Sequence, residues 1–171
     1  TKPVNGGDSS SQDSGSDTII GDNDGNAFTV NVTNGGTFFG HGNTGDLQFL
    51  NVENLVGGSG ADVFNIAATL GILQPDGVTW VGGNVTSLSG TDVVTLANDQ
   101  TVGGSVDLGD GTDTISINNG ALVVGSIRGG NDDDNFNVDY TSGFLNRSLV
   151  IDGGNGNDVL NITGSAPTGS T

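Results

Sequence analysis

Several residue types are absent or nearly absent from this 171-residue chain. It has no cysteine, so disulfide bonds and thiolate metal sites are excluded. Lysine and arginine number only three, which leaves no basic cluster to bind nucleic acid phosphates or an anionic membrane surface. No apolar run is long enough to cross a bilayer, so we expect neither nucleic acid binding nor membrane insertion. The chain shows no signal peptide and no initiator methionine, and we expect it to be an excerpt of a longer protein.

Glycine and aspartate are abundant. There are 32 glycines, and only 32% of residues are hydrophobic, so we do not expect a large globular core. The net charge is −17, and Glu53 is the only glutamate among the 20 acidic residues. A merely soluble surface would use glutamate freely, whereas short Asp and Asn side chains suit tight turns and close oxygen ligation. The acidity therefore indicates ligand chemistry rather than solubility.

One unit recurs along the chain: a glycine-rich turn closed by an aspartate, followed by a short alternating strand. Its copies are Gly57–Ile66, Gly90–Leu96, Gly109–Ile117, Gly129–Val138 and Gly153–Ile162. Aligned on Asp62, Asp92, Asp113, Asp134 and Asp158, the copies are spaced by 30, 21, 21 and 24 residues. The unit predicts a repeat architecture.

Three apolar columns accompany the aspartates. Positions two and four residues after each aspartate are all apolar and enclose a polar position, as in a half-buried strand. The position seven residues before each aspartate is also always apolar, which indicates a second strand; it holds Leu55, Val85, Val106, Ile127 and Ile151. Ten residues after the aspartate a third column holds Ile72, Val102, Val123 and Phe144. The extra residues in the longer spacings would then form loops at Leu73–Val81 and Leu145–Arg147.

Fixed spacing with apolar columns is typical of a solenoid, in which each turn buries its face against its neighbours. We predict an all-β fold, a parallel β-helix or β-roll solenoid with coils of about 21 residues. Helices are disfavoured because the apolar period is two and glycine costs roughly 1 kcal/mol per helical position. The predicted organisation is a linker or disordered cap at 1–16, irregular N-terminal solenoid turns or a cap at 17–54, the regular solenoid at 55–164 and a linker at 165–171.

The turns carry the candidate chemistry. Consecutive glycines allow carbonyl oxygens to approach one point, and a closing aspartate adds charge, which suits calcium and its six to eight oxygen ligands. The stretches Gly57–Phe64 and Gly153–Leu160 resemble the RTX, or haemolysin-type calcium-binding, nonapeptide G-G-x-G-x-D-x-U-x, where U is a large aliphatic residue. The resemblance implies calcium ions held between turns, with ligands at Gly58, Gly60, Asp62, Asp92, Gly109, Asp110, Gly111, Asp113, Gly130, Asp132, Asp134, Gly154, Gly156 and Asp158.

The chain departs from that family in its spacing. RTX repeats recur every nine residues, and only Asp17 and Asn26 keep that distance here. We therefore expect ions along one edge only, with the gaps Asp113 to Asp134 and Asp134 to Asp158 as the best candidates. Metal-free Gly-Asn-Asp turns are the alternative, since Asn and Asp also cap their own backbone. Against that alternative, aspartates stacked about 5 Å apart would repel one another without a cation.

The resemblance implies a structural, non-enzymatic module that folds on binding calcium outside the cell, in a secreted or cell-surface adhesin or surface-layer-like protein. Expected partners are calcium and either cell-surface carbohydrate or neighbouring copies or domains. The alternative is a β-helical polysaccharide-active enzyme or carbohydrate-binding module, for which Trp80 and Tyr140 are the candidate sugar-stacking aromatics. His41 has no evident catalytic partner, and Arg128, Arg147 and Lys2 are the only cations available to neutralise an acidic sugar. An ice-binding rod would need regular outward Thr ladders, whereas the outward column mixes Asn, Thr and Ser.

Overall fold

The computed structural model describes residues 4–5, 15–40, 46–141 and 148–164, and in these the chain is all-β. The predictions that concern His41, Phe144, the 145–147 loop and the terminal linkers fall wholly or mainly outside the described residues. The strands are β1 Val4–Asn5, β2 Thr18–Ile20, β3 Asn26–Val32, β4 Gly35–Gly40, β5 Leu47–Leu50, β6 Asn54–Gly58, β7 Val63–Ile66, β8 Ile72–Leu73, β9 Trp80–Val81, β10 Val85–Leu88, β11 Val93–Leu96, β12 Thr101–Val102, β13 Val106–Asp110, β14 Thr114–Ile117, β15 Leu122–Val123, β16 Ser126–Asn131, β17 Asn135–Asp139, β18 Val150–Asn155 and β19 Val159–Thr163.

Two large sheets contain most of these strands. The six-stranded sheet has the order β18-β16-β13-β10-β6-β2 and is parallel throughout. The nine-stranded sheet has the order β1-β5-β4-β3-β7-β11-β14-β17-β19 and is parallel from β3 to β19. Each copy of the repeat contributes one strand to each sheet, and the glycine-rich turn joins the two.

The strand register confirms the alignment on the aspartates. In the six-stranded sheet Leu55 pairs with Val85 and Val85 with Val106, and the same column continues to Ile127 and Ile151. In the nine-stranded sheet the position two residues after each aspartate forms one column, made of Phe64, Val94, Ile115, Phe136 and Leu160. Successive copies therefore stack residue on residue.

The third apolar column differs from the prediction in its first member. Val102 and Val123 are buried and pair in the short parallel strands β12 and β15, as expected for one wall. Ile72 does not join them, because it pairs with Val81 in the antiparallel hairpin β8–β9 and is only partly buried. Leu70 takes that place, bridging to Val102 with no exposed surface. The shift of two residues keeps the side chain on the inward face, so the periodicity alone could not reveal it.

The N-terminal residues join the same stack and then leave it. Strand β2 pairs in register with β6, and β3 pairs with β7, so that Asn26 occupies the position of the repeat aspartate. After β3 the chain reverses into β4, which is antiparallel to both β3 and β5, whereas β5 pairs with β1 in parallel. The nine-stranded sheet therefore extends past the first coil, whereas the six-stranded sheet ends at β2.

The core is a continuous column of inward side chains. Phe28 stacks on Phe64 with ring centroids 4.8 Å apart, and both are fully buried. Burial ends at the last copy, where Leu160 is 50% exposed and Ile162 is 66% exposed. The two ends of the stack therefore differ.

Candidate functional site

The repeat aspartates lie on the inward face of the turn that joins the two sheets. Because strand side chains alternate, a residue two positions before a buried one points the same way. Asp62, Asp92, Asp113 and Asp134 accordingly have no more than 1% of their surface exposed. Four of the five repeat aspartates are thus buried between turns, and Asp158 in the last copy is partly exposed.

These aspartates form a ladder of hydrogen bonds from coil to coil. The backbone amide of each aspartate donates to Oδ1 of the aspartate in the next coil, at 2.7 Å for Asp62 to Asp92 and 2.8 Å for Asp92 to Asp113. The ladder continues at 2.9 Å to Asp134 and 3.1 Å to Asp158. One oxygen of every carboxylate is therefore used to hold neighbouring coils in register.

The second carboxylate oxygen has no such partner in the middle of the ladder. The Oδ2 atoms of Asp92, Asp113 and Asp134 are buried and have no hydrogen-bond donor. Burial raises the pKa of Asp92 to about 6 and that of Asp113 to about 7, although the accepted amide bond opposes this shift. The Ser87 side chain near Asp92 also opposes it, but its hydroxyl donates to the carbonyl of Leu108 at 2.6 Å, which leaves Oδ2 of Asp92 without that proton. Burial also raises the pKa of Asp134, with the charges of Asp158 and Asp132 adding to it. A buried carboxylate oxygen without a donor requires a proton or a cation.

The first coil provides what the middle coils lack. Oδ2 of Asp62 accepts the amide of Gly58 at 2.7 Å, while its Oδ1 accepts both the amide and the side-chain Nδ2 of Asn26. Asn26 in turn bonds locally to Asp22 through both atoms of its amide group. The ladder is therefore closed at this end by a neutral side chain.

Glycine at the start of the turn makes room for the inward carboxylates. A Cβ atom at Gly57 would lie 2.1 Å from Oδ2 of Asp62, and one at Gly129 would lie 2.3 Å from Oδ2 of Asp134. Gly153 stands in the same relation to Asp158, at 2.4 Å. The position five residues before the aspartate is glycine in the first and the last two copies, and it holds Ser87 and Leu108 in the other two.

The predicted glycine ligands set the turn conformation in the last three copies. Positive φ angles occur four and two residues before the aspartate, at Gly109 and Gly111, at Gly130 and Asp132, and at Gly154 and Gly156. Leu88 and Gly90 adopt the same signs in the second copy. Gly58 and Gly60 do not have positive φ, although their copy matches the RTX pattern in full. Sequence identity in the turn therefore does not guarantee a shared backbone conformation.

The outer acidic residues are separated from one another by amides. Asp110 is bonded through Oδ1 to Nδ2 of Asn131, and Asn131 Oδ1 accepts from Asn155 at 2.9 Å. Asp133 accepts the amide of Asn157 at 2.8 Å, and Asp132 lies exposed in the turn. The expected stacking of like charges is therefore limited to the inner column.

The inner column suits a hard cation in its donor chemistry. The buried Oδ2 atoms of Asp92, Asp113 and Asp134 are carboxylate oxygens, a ligand type that calcium prefers. In the described part of the chain no group of three or more His, Cys, Asp or Glu side chains converges on one point. Backbone carbonyls would have to complete the coordination, as the glycine-rich turn allows.

The candidate sugar-stacking aromatics are placed differently. Trp80 lies at the base of the β8–β9 hairpin against Gly103, where a Cβ atom would be 2.3 Å from its Cε3 atom. One face of its ring is therefore covered, and its Nε1 is buried without a hydrogen-bond acceptor. Tyr140 is 39% exposed after β17. Trp80 belongs to the β8–β9 hairpin and Tyr140 follows β17, so the two rings come from different copies of the repeat.

Comparison of the chain with protein-family models, with curated proteins and with solved structures finds no match. Among the described residues there is no helix with the length and apolarity needed to cross a membrane. The resemblance to RTX repeats therefore depends on the residues of the turns alone.

Proposed function

We propose that this chain is a calcium-stabilised β-solenoid module with a structural role in a secreted or cell-surface protein, such as an adhesin or a surface-layer-like protein. The solenoid part is supported by two parallel sheets in which each repeat adds one strand to each. The calcium part is supported by one observation above all: three consecutive buried aspartates each have a carboxylate oxygen without a donor.

The position of these oxygens favours particular gaps. They lie in adjacent coils, so the gaps Asp92 to Asp113 and Asp113 to Asp134 are each flanked by two of them. The second of these gaps was favoured by the sequence, whereas Asp158 at the other favoured gap is partly exposed. Calcium bound there would neutralise the inner column and hold successive turns together.

The expected weak affinity for calcium favours a location outside the cell, where calcium is abundant. Sites built from few carboxylates and several carbonyls are weak, and extracellular calcium modules bind with dissociation constants of roughly 10⁻⁴ to 10⁻³ M. Without calcium the acidic column lowers the stability of the folded state, and with calcium the folded state gains stability by mass action. We propose folding after export, in agreement with what the RTX resemblance implies.

The test is thermal unfolding followed by far-UV circular dichroism in calcium, in excess chelator and in magnesium. We expect calcium alone to raise the melting temperature. Asp113→Asn should weaken the calcium response at least about tenfold in concentration, because it removes one inner charge. Asp107→Asn removes an outward charge from the same coil, since Asp107 lies between the buried residues Val106 and Leu108, and it should leave the response nearly unchanged. A melting temperature that is identical in calcium and chelator would refute the calcium proposal and leave a metal-free scaffold.

A further inference from the structure

The last coil makes the usual contacts with the coil before it, but among the described residues no further coil makes these contacts on its other side. Strands β18 and β19 stand at the ends of their sheets, so each has one edge without a partner strand among the described residues. Their inward column is uncovered at the same place, with Leu160 50% and Ile162 66% exposed. Equivalent residues in the preceding coil, Phe136 and Val138, are at most 3% exposed.

Among the described residues, the backbone amide and carbonyl of Asp158 lack the partners that the other repeat aspartates have. At each junction two bonds recur around the aspartate: its amide donates to Oδ1 of the next aspartate, and its carbonyl accepts the amide of the residue after that aspartate. The second bond measures 2.9 Å from Val93 to Asp62 and 2.8 Å from Val159 to Asp134. At Asp158 both the amide and the carbonyl remain available for the same pair of bonds.

We infer that this edge, made of β18, β19 and Asp158, is a stacking surface for one more coil of the same repeat. The occupant runs parallel to β18 and β19, presents an inward aspartate to the amide of Asp158, and covers Leu160 and Ile162 with aliphatic residues. This inference depends on the solenoid part of the proposed function but not on calcium.

A second copy of this chain does not fit the edge. At the N-terminal end the six-stranded sheet stops at β2, whereas β4, β5 and β1 extend the nine-stranded sheet three strands beyond β3. The two sheet edges there are not level, so a copy stacked head to tail cannot meet β18 and β19 together. We therefore assign a coil joined in the same polypeptide, because covalent linkage also removes most of the cost of association.

The experiment extends the chain by one coil. In the fusion, residues 118–138 are repeated directly after Ile162, which places a copied aspartate in register with Asp158. In the matched control the aspartate copied from Asp134 is replaced by alanine. Amide hydrogen exchange is measured by NMR for the original chain, the fusion and the control, in calcium and in chelator.

We expect exchange of the Asp158 amide to slow at least about tenfold in the fusion and much less in the control, with the Val93 amide unchanged as internal reference. Equal exchange at Asp158 in the original chain and the fusion would overturn the inference, as would equal slowing in fusion and control. Loss of the β spectrum in the fusion would also overturn it. Protection of Asp158 without any calcium response would refute the calcium proposal alone.

Discussion

The N-terminal and C-terminal ends of the stack differ in how they finish the same ladder. At the first coil Asn26 occupies the aspartate position, donates two hydrogen bonds to Asp62 and satisfies its own amide group through Asp22. At the last coil the ladder ends with an aspartate, Asp158, whose backbone amide and carbonyl have no partner among the described residues, beside exposed Leu160. A repeat ladder can therefore be closed by exchanging its charged residue for a neutral one, and it stays open where the charged residue is kept.

The closed end should be more sensitive to steric change than the open end. A Cβ atom at Gly58 would lie 1.7 Å from the carbonyl oxygen of Asp22, in the segment that covers the first coil. Because the contact is with backbone, no side chain can move aside to relieve it. We expect Gly58→Ala to lower the free energy of unfolding by more than about 3 kcal/mol, measured by urea denaturation.

Two glycines serve as controls for that effect. Gly77 in the β8–β9 hairpin has positive φ but no atom within 4 Å of its Cβ position, so Gly77→Ala should cost only about 1 kcal/mol. Gly154 lies in the open last coil, where a Cβ would be 2.2 Å from the Gly130 carbonyl oxygen. We expect Gly154→Ala to loosen that coil, seen in its amide exchange, while the rest of the stack stays folded. Equal global losses for Gly58→Ala and Gly154→Ala would contradict the difference between the ends.

Replacing an aspartate by asparagine should lower the free energy of unfolding at the closed end, but not in the middle of the ladder. Asp62 receives three N–H groups, so Asp62→Asn would oppose one of these donors with its own amide group and should destabilise the chain by about 2 kcal/mol. Asp113→Asn keeps an Oδ1 acceptor for Asp92 and removes a buried charge without a donor. In chelator we expect it to be neutral or to stabilise by up to about 1 kcal/mol. Urea denaturation in chelator measures both, and losses of equal size would show that Asp113 is as well satisfied as Asp62.

The middle of the ladder should also give the calcium-free protein an unusual dependence on pH. Because burial raises the pKa of Asp92 to about 6 and that of Asp113 to about 7, the folded state binds protons more tightly than the unfolded state. The stabilisation is complete below the ordinary value of 3.8 and is lost as the pH rises through 6 and 7. In chelator the free energy of unfolding should therefore fall between pH 5 and pH 8, by at most about 1.4 kcal/mol per pH unit for each proton, and the melting temperature should fall with it.

Calcium should flatten this profile near neutral pH, since a bound cation replaces the proton. Asp113→Asn should reduce the slope between pH 6 and pH 8, whereas Asp107→Asn should not, because Asp107 points outward from the same coil. A melting temperature in chelator that rises from pH 5 to pH 8 would mean that ordinary surface carboxylates dominate and that the inner column is already neutralised by other contacts.

The features that depend on the repeat spacing and on the alternation of apolar and polar residues could be predicted from the sequence. The aspartate column and the apolar columns two and four residues later follow from strict alternation, and the structure pairs them residue for residue. The replacement of Ile72 by Leu70 could not be predicted, because a hairpin insertion shifts the chain by two residues without changing which face is apolar. The hairpin extension β4–β5 was also beyond prediction, since its strands leave the repeat.

The same alternation also implies that the aspartates point inward, but the sequence prediction did not include this direction. Asp62 lies two residues before buried Phe64 and shares its face, whereas the turn motif predicts only that it is a ligand. Two residues carried a usable signal that the motif obscured. Asn26 stands in the aspartate column, and Gly57 belongs to a column of mostly small residues five positions earlier.

The last prediction compares isoleucine at the two ends of the column four residues after the aspartate, where we expect a small loss of stability at the open end. Ile66 is fully buried near the closed end, so Ile66→Ala should cost about 3 kcal/mol, the usual range for a filled core position. Ile162 occupies the same column in the last coil but is 66% exposed, so Ile162→Ala should cost less than about 1 kcal/mol, measured by urea denaturation. If the open edge accepts a further coil, Ile162→Ala in the extended chain should approach the cost of Ile66→Ala, because the added aliphatic residues would bury it. A cost at Ile162 that stays small in the extended chain would mean that the added coil does not cover the inward column.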